Sequence, residues 1–119
     1  MALQYLIIHS TLSPEGVNIT TDEIAKKHKE RGWGKTGYSD LINIDGTVSS
    51  MIKYNNSFKS YDWDLSYKGE SINGSARHIA YVGGVNKGNN VIQDTRTDNQ
   101  KESLEAYVKY MIMRHPDIK

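Results

Sequence analysis

The 119-residue chain contains no cysteine, which excludes disulfides and thiolate zinc sites within it and leaves the redox compartment undetermined. It also lacks any block of one charge. Fifteen Lys and Arg stand against 14 Asp and Glu, for a formal charge of +1. Nothing resembles the basic footprint of a nucleic-acid binder, so no nucleic-acid polymer is expected as a partner. The local cations Lys26, Lys27, Lys29 and Arg31 read as the solvated face of a helix. No apolar run approaches the length of a bilayer span, so no membrane partner is expected either. From Met1 the chain passes directly into strand-like sequence, without a basic region followed by a small-residue cleavage site. The expected location is therefore the cytoplasm of the cell that makes it. Internal repeats and low-complexity segments are absent.

What is present fits a single domain over residues 1–119. Only 37% of residues are hydrophobic, but 8 Tyr and 2 Trp supply area for a modest core. Leu, Ile and Val fall in short runs rather than singly, which argues against disorder. Leu3 to His9 holds the unbroken run Tyr5-Leu6-Ile7-Ile8, too short for a helix and without alternation. It reads as a strand covered on both faces. Ser10 to Asn18 is a loop. Thr20 then opens a helix, with Glu23 three residues on as a capping box and Asp22 at the positive end of the dipole. That helix runs to about Arg31 and ends at Gly32.

Ser39 to Ile44 and Thr47 to Tyr54 flank Asp45-Gly46, the strongest short-range hairpin signal available. Asn55 to Ala76 reads as an ordered loop carrying Phe58, Tyr61, Trp63, Leu65 and Tyr67, with room for one short strand. Arg77 to Val82 is a further strand closed by Gly83-Gly84, and Val85 to Arg96 a loop. Thr97 and Gln100 form a second capping box. The helix they open carries Leu104, Tyr107, Val108, Met111 and Ile112, the apolar stripe of a helix lying on a sheet, and Pro116 ends it. The order β-α-β-β-β-α gives the fold class: α/β, a mixed sheet flanked by helices. Within it, His9 stands at the carboxyl end of a buried strand, where ligand sites in such sheets collect.

Several segments, taken in order, resemble the zinc-dependent N-acetylmuramoyl-L-alanine amidase family, which includes phage lysozyme-type amidases and peptidoglycan recognition proteins. They are Leu6-Ile7-Ile8-His9-Ser10-Thr11 with Pro14-Glu15-Gly16, His28-Lys29-Glu30-Arg31-Gly32-Trp33, Gly37-Tyr38-Ser39-Asp40-Leu41 and Asp45-Gly46-Thr47-Val48. Arg77 to Gly84 and Asp94-Thr95-Arg96-Thr97 continue the match. The resemblance implies roles for three residues. His9 matches the family's first zinc ligand. Tyr38 matches the tyrosine that polarises the scissile amide or orients the attacking water. Asn73 matches an Asn on the rim of the substrate groove, although Ser71-Ile72-Asn73-Gly74-Ser75 departs from the usual glycine-aromatic-Asn pattern. Ser39 stands where many relatives have a His that is not a ligand. The chemistry explains the requirement: zinc with three protein ligands keeps a position for water and lowers its pKa, while a phenol donates to the oxyanion on the amide carbonyl.

Relatives continue past the last helix into another strand with a second ligand His, and a loop carrying a Lys or Thr and the third ligand, Cys or Asp. This chain ends at Lys119. The other histidines read as structural or exposed: His28 packed on the first helix, His78 at the start of a strand, His115 at a helix end. The expectation is an incomplete metal site at His9, with zinc only if further ligands are supplied, and no hydrolase activity from the chain as given. An uncovered sheet edge is expected to attract a homo-oligomer or a strand-adding partner. Three functions follow. The first is a non-catalytic relative binding a small ligand near His9, Tyr38 and Asn73, either a muropeptide or, in a phage, a sequestered host signalling molecule. The alternative is a working zinc amidase cleaving the bond between N-acetylmuramic acid and L-alanine, with its C-terminal segment absent from this sequence. The third is a structural or regulatory protein partner.

Overall fold

The run Tyr5-Leu6-Ile7-Ile8 forms β1 (Tyr5–Ser10) in a computed structural model that describes residues 3–52, 66–68, 70–71, 76–88 and 90–118. A short β2 (Ser13–Pro14) follows, then helix α1 (Thr21–Glu30). Thr20 caps α1 by accepting a hydrogen bond from the Glu23 amide at 3.2 Å, which satisfies one of the orphan donors of the first turn. The hairpin forms at Asp45-Gly46 as the sequence predicts: β3 (Asp40–Ile42) pairs antiparallel with β4 (Val48–Ser50), Asp40 opposite Ser50. Gly46, at φ +91°, adopts the backbone region that side chains disfavour. Asp45 accepts from the Thr47 amide at 2.9 Å and clamps the turn.

Two-residue strands β5 (Ser66–Tyr67) and β6 (Glu70–Ser71) pair within the stretch expected to be a loop. Phe58, Tyr61, Trp63 and Leu65 lie outside the described residues. Then come β7 (Ala76–Tyr81), β8 (Gly84–Val85) and helix α2 (Asp98–Arg114). The reciprocal capping box of Thr97 and Gln100 is present.

The main sheet has the order β1-β7-β3-β4. β1 and β3 both run parallel to β7 while β3 and β4 are antiparallel, so the sheet is mixed. Neighbouring residues along a strand face opposite sides, and the two helices use both. On one side Ile24 and Ala25 of α1 pack with Leu41, Ala80, Val82, Met51, Ile19 and Tyr38. On the other, Leu104, Tyr107 and Val108 of α2 pack with Ile42, Ile79 and Leu6. Leu41, Ile42 and Ile79 are wholly buried, each contributing about 1.5–3 kcal/mol. Gln100 is buried beneath α2 and donates to the Val82 carbonyl at 2.9 Å. It thereby satisfies an acceptor where β7 ends.

Two expectations need correction. β1 is not covered on both faces. Among the described residues it has a sheet neighbour on one side only, and Ile8 is 48% exposed. Within the described sheet β1 holds an edge position, half shielded by α2. Ile112, placed in the apolar stripe, is 49% exposed, while its neighbour Met111 is buried, so the buried face is narrower than the stripe.

Candidate functional site at the carboxyl end of the first strand

Parallel pairing puts Ile7 beside His78 and His9 beside Ala80. Residues two apart share a face, so the His9 and His78 side chains lie diagonally on the α1 side of the sheet, with Leu41 opposite Ala80 on the same side. His9 Nε2 and His78 Nδ1 stand 2.8 Å apart, a hydrogen bond between two imidazoles. The rings are tilted by 30° with centroids 5.1 Å apart. His78 is fully buried on the central strand. Its carbonyl accepts from the Ser39 amide at 2.7 Å, so one residue ties down both His9 and the Tyr38-Ser39 segment.

Burial holds these imidazoles neutral. Desolvation lowers the pKa of His9. It brings His78 to about 4, helped by the neighbouring His9. A neutral pair at this distance shares one proton on the line between its nitrogens, so the two tautomers are linked.

Tyr38 is buried, with its ring 5.4 Å from that of His9. Its hydroxyl donates to the Ser10 carbonyl at a long 3.4 Å. Burial raises the phenol pKa, and the Arg31 cation opposes this only in part, so the hydroxyl keeps its proton. His28 is packed, as its helix position suggests: Nδ1 accepts from the Gly37 amide at 2.9 Å, and the ring lies 4.6 Å from Trp33 and 5.1 Å from Tyr38. Burial and then Arg31 lower its pKa to about 4.

His9, Ser10, Thr11, Ile24, Tyr38 and the α1 cations Lys27 and Arg31 line a cavity of about 330 Å³, within the range of small-ligand sites. The expectation of a merely solvated role for Lys27 and Arg31 is thus incomplete. Both are exposed, but Ile24, Lys27 and Arg31 follow one another at helical i, i+3, i+7 spacing, which runs them along the margin of the buried face. That spacing is the signal in the sequence that could have found them. Leu12, at φ +51°, sits on the rim.

The loop after His9 is zipped onto the Gly83-Gly84 pair. Thr11 Oγ1 accepts from the Gly83 amide at 2.9 Å, and the Ser13 amide donates to the Gly83 carbonyl at 2.9 Å. Glycine is required here: Gly83 and Gly84 have φ of +132° and +108°. A Cβ on Gly84 would meet the Ser10 side chain, with its Cβ at 2.7 Å.

Of the predicted site residues, the structure brings His9 and Tyr38 together. Asn73 lies outside the described residues. His115 is the C-cap of α2. His78, expected to be structural, is buried behind the cavity and meets it through its hydrogen bond to His9. Sequence could not reveal this, because it depends on the register between two parallel strands 69 residues apart.

The donors can be tested against zinc. Nitrogens at 2.0–2.1 Å from one tetrahedral ion stand about 3.3 Å apart, and the 2.8 Å between His9 and His78 is shorter, the length of a direct hydrogen bond. Among the described residues no three His, Cys, Asp or Glu side chains converge. Those residues by themselves do not make up a zinc site. Nor, among them, is any helix long and apolar enough to cross a membrane.

No family model matches the sequence. The chain is 27% identical over 121 residues to an endolysin of Enterobacteria phage K11, covering 93% of this chain and 73% of that protein. It superposes on the endolysin N-acetylmuramoyl-L-alanine amidase LysCS from Clostridium intestinale URNW with a TM-score of 0.66 and 25% identity, covering 99% of this chain and 68% of that one. Peptidoglycan recognition protein 1 of Manduca sexta gives a TM-score of 0.61 at 17% identity, over 95% of this chain and 60% of that one.

Proposed function

The chain belongs to the fold family of the N-acetylmuramoyl-L-alanine amidases and peptidoglycan recognition proteins, and from that premise we propose that it binds a muropeptide in the cavity beside His9 and Tyr38. The observation that carries this reading is the cavity itself. Its volume falls within the range of small-ligand sites, it lies at the carboxyl end of β1, and it presents a neutral imidazole and a protonated phenol with ring centres 5.4 Å apart. Both are groups that hydrogen-bond an amide: the phenol donates to a carbonyl, and an imidazole nitrogen accepts or donates according to its tautomer. Lys27 and Arg31 on the rim favour a ligand with free carboxylates. Binding is the activity that His9 and Tyr38 support by themselves, because hydrogen bonds to an amide need no metal donor.

Calorimetric titration with a muramyl peptide tests this, with Tyr38→Phe and His9→Ala as site variants. Saturable binding that weakens in both variants supports the reading. Equal binding by all three proteins, or none by any, refutes it. A cyclic nucleotide that binds where the muramyl peptide does not would place a signalling molecule in the cavity instead.

Similarity to the phage endolysin and to the clostridial amidase favours a second reading, hydrolysis of the bond between N-acetylmuramic acid and L-alanine. Release of soluble dye from labelled cell walls, with and without added zinc, separates the two. Zinc-dependent release abolished in the His9→Ala variant establishes hydrolysis.

A further inference from the structure

We propose that His78 is the positioning residue of His9, fixing by their hydrogen bond the tautomer and ring angle with which His9 meets a ligand in the cavity. This rests on the cavity being the ligand site. The geometry is specific. His78 sits on the central strand of the sheet, wholly buried, with Nδ1 2.8 Å from His9 Nε2. Buried on the central strand, it cannot follow a moving partner, whereas β1 lies at the edge of the described sheet and His9 is only partly buried. The more rigid ring therefore sets the other. If His9 Nε2 donates, its Nδ1 is unprotonated; if His78 Nδ1 donates, His9 carries its proton on Nδ1. The His9 tautomer is therefore set by the tautomer that His78 holds, whereas a solvated imidazole exchanges between both. The His78 carbonyl also holds the Ser39 amide next to Tyr38. Both cavity groups are thus referred to one residue. Partners that orient a metal-ligating histidine in this way are worth about 10–100-fold in metal affinity or activity, and the lower end of that range is the effect expected on ligand binding here.

The test starts on the unmodified protein. Long-range proton–nitrogen spectra should show His9 and His78 each in a single neutral tautomer. A coupling across the hydrogen bond should link His9 Nε2 to His78 Nδ1. Tautomer averaging at His9, or no such coupling, overturns the proposal without any variant having to fold. His78→Asn and His78→Leu provide the second arm. The Asn side-chain amide places a polar atom where Nδ1 stands, and Leu does not. The Asn variant is expected to hold His9 in a single tautomer and bind the muramyl peptide within about threefold of the parent, the Leu variant to let the tautomers average and to lose about tenfold or more in affinity. Equal losses in both, with His9 unchanged in the spectra, assign the effect to packing and overturn the proposal. A locked His9 in a protein that binds no muramyl peptide refutes the cavity reading instead, and reduces the pair to a packing device.

Discussion

Replacing Gly84 with alanine asks whether the loop behind His9 depends on a close backbone approach. Two costs add. At φ +108° an L side chain is strained, by about 1–2 kcal/mol on the scale of the left-handed region. The new Cβ would also stand 2.7 Å from the Ser10 Cβ. Ser10 Oγ can rotate away, but Cβ can retreat only if the strand moves, an overpacking cost of about 1–3 kcal/mol. Alanine recovers up to about 1 kcal/mol by restricting the unfolded chain. The expected net loss is about 3 kcal/mol, which for a domain of this length lowers the melting temperature by roughly 10–15 °C. Urea and thermal unfolding followed by circular dichroism would measure it. A cycle with Ser10→Gly separates the contact from the strain: removing the Ser10 Cβ should return about 1–2 kcal/mol of coupling. A loss under about 0.5 kcal/mol for Gly84→Ala, or zero coupling, refutes the close approach as the reason for glycine.

Other expectations concern charge and strain. The folded pKa of His28 is depressed to about 4, so the unfolded state binds the proton more readily. The stability this site contributes is complete above pH 6.5 and is lost as pH falls towards 4, by about 3 kcal/mol for that shift. His28→Asn, which keeps an acceptor for the Gly37 amide, should flatten the acid limb of a stability-against-pH curve, and an unchanged limb would contradict the assignment. Asp40, buried, accepts from Arg77 at 2.8 Å and from the Tyr107 hydroxyl at 2.5 Å. Tyr107→Phe is expected to cost about 1–2 kcal/mol and Arg77→Met about 3 kcal/mol, because the latter strands a buried carboxylate. The reverse order in denaturant titrations would refute the account. Leu12, 59% exposed at φ +51°, should be replaced by Asn with a gain of about 0.5–1 kcal/mol, read as a rise in the urea midpoint.

Local signals carried most of the fold. The Thr20 and Thr97 caps, the Asp45-Gly46 turn and the β7 run are each written in a few adjacent residues, and each forms where the sequence places it. The short β2–β8 pair was not legible: its residues come from two loops, with Ser13 beside Gly84. Such pairing is decided by tertiary packing rather than by propensity. The same limit applied at the site. His9 and Tyr38 could be picked out through a resemblance in short segments. His78 could not, since the face it shares with His9 follows from a parallel register, and a slip of one residue would turn it to the α2 side.

That register also governs what a metal would meet. His9 Nε2 is engaged with His78, and giving up one neutral hydrogen bond costs only about 0.5–1.5 kcal/mol. The pairing alone would therefore weaken binding of a cation by about two- to tenfold and could not exclude it. The number of donors decides instead: a site that holds zinc through purification draws on three or four, and two imidazoles are what the described residues bring together. The chain as given is accordingly expected to retain well under one equivalent of zinc after dialysis, measured by elemental analysis of the folded protein. Full occupancy that is lost in both His9→Ala and His78→Ala variants would show the two rings acting as ligands rather than as a hydrogen-bonded pair, and His78 would then be no positioning residue.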